Sequence, residues 1–152
     1  MTPGIDEGVA QRLQDEHRVL AQLVQLVREH IARHPGGLDS TWLDALRAAF
    51  DRLYAHVART ISMKEQGGYL ESILRVRPTL ARQVADARSE NGQLLRLADS
   101  IRRDLSQAQA TERLLVRDVC DRIQRYADHL GQHEQRENML ALFAFNTEFG
   151  GD

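Results

Sequence analysis

An all-α fold, an up-down-up-down four-helix bundle, is what the sequence predicts, on three observations. Only three prolines (Pro3, Pro35, Pro78) and two internal glycine pairs (Gly36-Gly37, Gly67-Gly68) interrupt long stretches of Leu, Ala, Arg, Gln and Glu, the good helix formers. Apolar residues recur at steps of three and four, and no window alternates apolar with polar residues as a half-buried strand would. The 152 residues fit one domain, 1-152, with enough chain for a self-sufficient core and little for a second.

The first helix is expected from about Asp6 to Arg33, because Val9, Leu13, Leu20, Val24, Val27 and Ile31 share one face. His34-Pro35-Gly36-Gly37 ends it. Asp39 or Ser40 then offers an N-cap, and Leu46, Phe50, Leu53 and Val57 form the stripe of a second helix that stops at Gly67-Gly68. Tyr69 to Arg77 reads as a short helical connector. Pro78 restarts the chain, and the third helix repeats at 80, 84, 87, 91, 94, 98, 101 and 105, apolar everywhere except at Asn91. The fourth begins near Thr111 and carries Leu115, Val119, Ile123, Ala127, Leu130, Leu140 and Ala144. Four long amphipathic helices with short connections pack most simply as the bundle named above.

Composition excludes several function classes. A net charge of -2 gives no electrostatic footprint for nucleic acid or for a membrane surface, and no apolar run is long enough to span a bilayer. The start, MTPGIDEGVAQ, has no basic and then apolar leader. Cys120 is the sole cysteine, so an internal disulfide and a thiolate metal cluster are both excluded, and the expected location is cytoplasmic. Cys120 falls among apolar positions of the fourth helix and reads as core. His30, His34 and His129 are expected at or near solvent, and charge runs such as the one at Arg102-Arg103-Asp104 as solvated helix faces. Trp42, Phe143, Phe145 and Phe149 are the aromatic candidates for a dimer contact, which leaves monomer and homodimer both open.

The polar residues that interrupt the stripes carry the functional information, because a polar group facing a core needs a partner or a task. His17 lies between Leu13 and Leu20. Thr60 and Lys64 continue the second stripe beyond Val57, with His56 one position off. Asn91 occupies the centre of the third stripe, and His133 and Glu137 lie between Leu130 and Leu140. At 1.5 Å of rise per residue, His17, Thr60 and Asn91 come out about 22–29 Å from one end of the bundle, and Lys64, His133 and Glu137 about 33–39 Å, which permits one contiguous cluster. A single histidine on an apolar face is ordinarily a satisfied core residue. His133 and Glu137, however, form an i, i+4 pair on an inward face with His17 opposite, the geometry that metal sites in bundles use. Asn91 alone would set register, and Thr60 alone would bond back to its own helix. Lys64 is the only lysine among 20 cationic side chains. It either snorkels to water from the helix end or pairs with Glu137 inside the bundle.

These residues carry a resemblance over nearly the whole chain. DEHRVL in the first helix, KEQGGYL at the end of the second, RPTL and SENGQLL in the third, and HEQREN with the closing FNTEFGGD resemble a bacterial hemerythrin-like (HHE cation-binding) domain. That resemblance implies a four-helix bundle with a non-haem di-iron centre, used in oxygen binding, oxygen or redox sensing, and iron or nitric-oxide handling. Carried over by position, the first-helix histidine falls on His17, the His-x-x-x-Glu pair of the second helix on Thr60 and Lys64, the third-helix histidine on Asn91, and the fourth-helix pair on His133 and Glu137. Three implied ligands are thus present and three replaced, one of them by a cation. Aligning His56 in place of Thr60 recovers one histidine and leaves the glutamate missing.

The preferred expectation is a metal-free binding or regulatory module, without cofactor and not an enzyme, in which Lys64 stands in for the metal charge and pairs with Glu137; its partner is a protein or a small molecule. The alternative is an oxygen, redox or nitric-oxide sensor holding iron or another divalent metal, in a remodelled mononuclear (or di-iron) site at His17, His133, Glu137 and His56. A third reading is an enzyme using Lys64 as an amine whose pKa burial lowers.

Overall fold

The computed structural model describes residues 7–34 and 39–145, without the side chains of residues 7–10 and 13. Among the described residues the chain is all-helical: α1 (Glu7–Ala32), α2 (Ser40–Gln66), α3 (Tyr69–Val76), a 3-10 turn (Pro78–Leu80), α4 (Ala81–Gln107) and α5 (Arg113–Phe145). No described helix is long and apolar enough to cross a membrane. The expected contributions of Val9 and Leu13 to the first stripe, and Phe149, lie outside the described residues.

The boundaries follow from local chemistry. Asp39 caps α2 by accepting a hydrogen bond from the Trp42 backbone N–H at 3.0 Å. At the other end Gly67 returns its N–H to the Met63 carbonyl at 2.8 Å. Gly68 adopts φ +76°, a left-handed conformation that favours glycine, and leads directly into α3. A Cβ on Gly67 would come within 2.5 Å of the Met63 carbonyl oxygen, so both glycines are needed for the turn that follows Lys64. The carbonyls ending α4 are satisfied from α2, where Arg47 Nε donates to Leu105 O at 2.9 Å and its terminal nitrogen to Ala108 O.

Among the long helices α1 packs on α2, α2 on α4, α4 on α5, and α5 touches α1, so each has two long neighbours around a common interior. α3 closes on α2, α4 and α5. Every member of the third stripe, Leu80 through Leu105, is buried, as are Leu46, Phe50, Leu53 and Val57 of the second. Leu115 is a correction: it is exposed, and Val116 takes the inward position, being three residues before Val119 and four before Cys120 on the buried face of α5. Trp42 is buried, with its ring stacked on His30 at 5.1 Å and its indole N–H donating to the His30 carbonyl at 3.0 Å. It joins α1 to α2, and its burial leaves little of the ring for the dimer contact expected of it. Phe143 is exposed, Phe145 partly buried, and Cys120 buried as expected.

The apolar interior is divided. One cluster contains Val57, Ile61, Leu94 and Leu130; a second, beneath α3, contains Tyr69, Leu70, Val84, Ala87 and Ala144. Along α2 the residue between the clusters is Lys64, along α4 it is Asn91, and along α5 they are His133 and Glu137. A polar layer therefore crosses the interior at one level.

Candidate functional site

Helical periodicity places these side chains, and their charges hold them. Lys64, Asn91, His133 and Glu137 are each at most 2% exposed. Lys64 does not snorkel: its Nζ lies 2.6 Å from Glu137 Oε1 and donates to Glu134 Oε1 at 3.1 Å. Glu137 Oε2 lies 2.7 Å from His133 Nε2, which is also 2.6 Å from Asn91 Oδ1. The other ring nitrogen of His133 contacts Glu90 Oε1, and Arg136 reaches the same oxygen at 2.7 Å. At the opposite end His17 Nδ1 contacts Glu134. Read in sequence of contact, Glu134, Lys64, Glu137, His133, Glu90 and Arg136 alternate in sign. With His133 protonated, three carboxylates face three cations.

That protonation fits the geometry. Both His133 nitrogens face acceptor oxygens, and only the imidazolium offers a proton on each. Burial alone would lower the His133 pKa; the hydrogen bond and charge of Glu137, with the Glu90 bond, outweigh it and the Lys64 charge and raise it. Lys64 follows the same pattern: burial disfavours its charge, but Glu137 and then Glu134 hold its pKa above the ordinary value. Burial pushes the Glu134 carboxyl up, against a hydrogen bond from His17 and the Lys64 charge, which together bring it down to about 2. Glu137 is likewise lowered, by His133 and Lys64 acting against burial. The Tyr69 phenol, buried above the layer, is pushed up by desolvation and then by the negative charge of Glu137 and Glu134.

The third expectation from the sequence asks for a Lys64 pKa lowered by burial; here Glu137 and Glu134, both at ion-pair distance, hold it above the ordinary value.

The structure brings the sequence-derived residues together unevenly. Of the four candidate metal ligands, His133 and Glu137 are in direct contact, whereas His17 reaches them only through Glu134 and Lys64. His56 belongs to a separate cluster: its Nε2 lies 3.0 Å from Glu16 O and 3.2 Å from Glu16 Oε2, and its Nδ1 lies 3.1 Å from Arg59. Thr60 turns back on its own helix, donating to the His56 carbonyl at 2.8 Å. Glu134, Glu90 and Arg136 were not singled out from the sequence. The available signal for Glu134 was its place three residues before Glu137, on a helix flank facing the only lysine.

As folded, this donor set does not fit the metal that the resemblance implies. The Lys64 ammonium lies against Glu137, where a divalent ion would need the carboxylate, and both His133 nitrogens are committed to oxygens, leaving no lone pair to offer. The void bounded by Thr60, His133 and Glu134 is about 10 Å³, the lower limit for a single water. Among the described residues no group of three or more His, Cys, Asp and Glu side chains is arranged to hold a metal ion. Compared with protein-family models, with curated proteins and with solved structures, the chain matches none.

Proposed function

We propose that this protein is a hemerythrin-like four-helix bundle, wound up-down-up-down, in which a lysine carries the positive charge that a metal would otherwise supply, and that it acts as a metal-free binding or regulatory module. The observation that carries this reading is the buried Lys64 ammonium seated between Glu137 at 2.6 Å and Glu134 at 3.1 Å. A bundle interior with inward carboxylates and histidine needs cationic charge to remain folded, because isolated buried ions are strongly disfavoured. Lys64, together with protonated His133, supplies it covalently. The polar layer then orders the interior without a redox-active centre, and the role left to the chain is recognition of a small molecule or a protein.

Protein purified aerobically without chelator is expected to contain no stoichiometric metal by elemental analysis and no absorption from an oxo-bridged iron pair. Its melting temperature is expected to be the same with and without EDTA. One metal per chain would replace this reading with a mononuclear sensor built on His17, His133 and Glu137. Two irons with oxo-bridge absorption would restore a di-iron role.

A further inference from the structure

The two apolar clusters on either side of the polar layer are held by different means. Around the first, polar ties join the long helices. Arg47 of α2 donates to the Leu105 and Ala108 carbonyls, Arg28 of α1 reaches Gln124 at 2.9 Å and Asp128 at 2.7 Å on α5, and Arg122 of α5 reaches Asp104 of α4 at 2.6 Å. The second cluster takes three of its seven buried members, Tyr69, Leu70 and Ile73, from α3, a helix of eight residues. Among the described residues no hydrogen bond or ion pair joins an α3 side chain to another helix. Ser72 donates back to the Gly68 carbonyl at 2.7 Å, and Glu71 and Arg75 are exposed. Just beyond α3 the Arg77 guanidinium lies over the Phe143 ring of α5, 5.1 Å from its centre. Apolar packing is therefore what keeps α3 in place.

The chain is jointed at both ends of this helix. Gly68 precedes it at φ +76°, and Arg77 follows it in a non-helical conformation, φ -136° and ψ 82°, before Pro78. The polar layer forms a boundary beneath it. Lys64, Asn91, His133 and Glu137 contact one another across α2, α4 and α5, so those three helices stay joined at this level when the cluster above them opens. Tyr69, the first residue of α3, lies close enough to the layer for the charges of Glu137 and Glu134 to act on its phenol. A contiguous unit held by few polar ties is the kind that opens without global unfolding.

We propose that α3 is a lid: it moves as one unit between Gly67-Gly68 and Pro78, uncovering the second apolar cluster and the Lys64–Glu137 pair while the first cluster stays packed. This goes beyond the reading above and rests on the packing, whichever ligand the chain takes.

Amide exchange of the full wild-type chain in low concentrations of urea is the first test. The bonded amides from Ser72 to Arg77 are expected to share one opening free energy and one weak urea dependence, below the global values shown by Leu53 and Ala98. Rates graded inwards from the helix ends would mean fraying, and global values throughout would mean that α3 opens only on unfolding; either overturns the lid. The second test compares thiol labelling of two equally buried valines in a Cys120→Ala background, Val84→Cys beneath α3 and Val57→Cys in the first cluster. The Val84→Cys thiol is expected to react at least about tenfold faster than the Val57→Cys thiol. Arg77→Gln, which removes the contact with Phe143, is expected to speed the first about threefold and leave the second unchanged. Equal rates for the two thiols, or equal acceleration of both by Arg77→Gln, would overturn the proposal.

Discussion

Replacing Lys64 with methionine is expected to destabilise the protein by about 3–5 kcal/mol, the cost of leaving a buried carboxylate without its partner. For a chain of this length that loss lowers the melting temperature by about 10 °C. Methionine keeps the length and most of the volume of the side chain, so the effect reports charge and not a cavity. The corollary is sharper than the single variant. Lys64→Met combined with Glu137→Leu removes both members of the 2.6 Å pair, and it is expected to recover most of the lost stability, because apolar replacement of a whole buried pair is often neutral or stabilising. Thermal and urea unfolding of the three proteins measure the cycle. A single variant as stable as the wild type would mean that Lys64 does not neutralise the layer.

The second large effect is on pH dependence. Glu134 titrates at about 2 in the folded protein against an ordinary 4.5, so it contributes stability above 4.5 that is lost as pH falls towards 2. At neutral pH that contribution is about 3 kcal/mol. Glu137 and Glu90 are shifted in the same direction and add to the acid loss. His133 is shifted the other way. Its contribution is complete below 6.5 and disappears as pH rises through its raised folded value. Lys64 behaves like His133 at the alkaline end, contributing fully below 10.5. Stability is therefore expected to be greatest between pH 4.5 and 6.5 and to decline on both sides, as measured by urea unfolding across the range. Glu134→Gln is expected to flatten the acid limb, and an acid limb as steep in that variant would show that the Glu134 interactions do not produce it.

Much of this architecture is legible in the sequence because it depends on period alone. The eight positions from Leu80 to Leu105 keep one regular spacing, and all eight are buried, including Asn91. Thr60, Lys64, His133 and Glu137 were located by the same rule. Periodicity says which way a side chain faces; it does not name the group across from it. Glu134 and Glu90 lie on helix flanks where the stripe does not mark them, yet a glutamate is long enough to turn inward from there and supply the second carboxylate to Lys64 and the second acceptor to His133. His56 shows the converse. It is buried and adjacent to the stripe, but the backbone carbonyl and carboxylate of Glu16 hold it on the α1 side, away from Lys64. Leu115 was misplaced for a related reason, since steps of three and of four both continue a helical stripe and only packing selects Val116.

The direct test of the central claim uses the fact that the chain contains one lysine. Protein labelled with 15N-lysine gives a single side-chain ammonium resonance, whose exchange with water and titration report the state of Lys64 without ambiguity. A slowly exchanging ammonium signal that persists beyond pH 10.5 is the result predicted by its burial between Glu137 and Glu134. A rapidly exchanging signal, or one that titrates below that value, would place Lys64 in water or leave it neutral, and the proposal that it replaces a metal would be wrong.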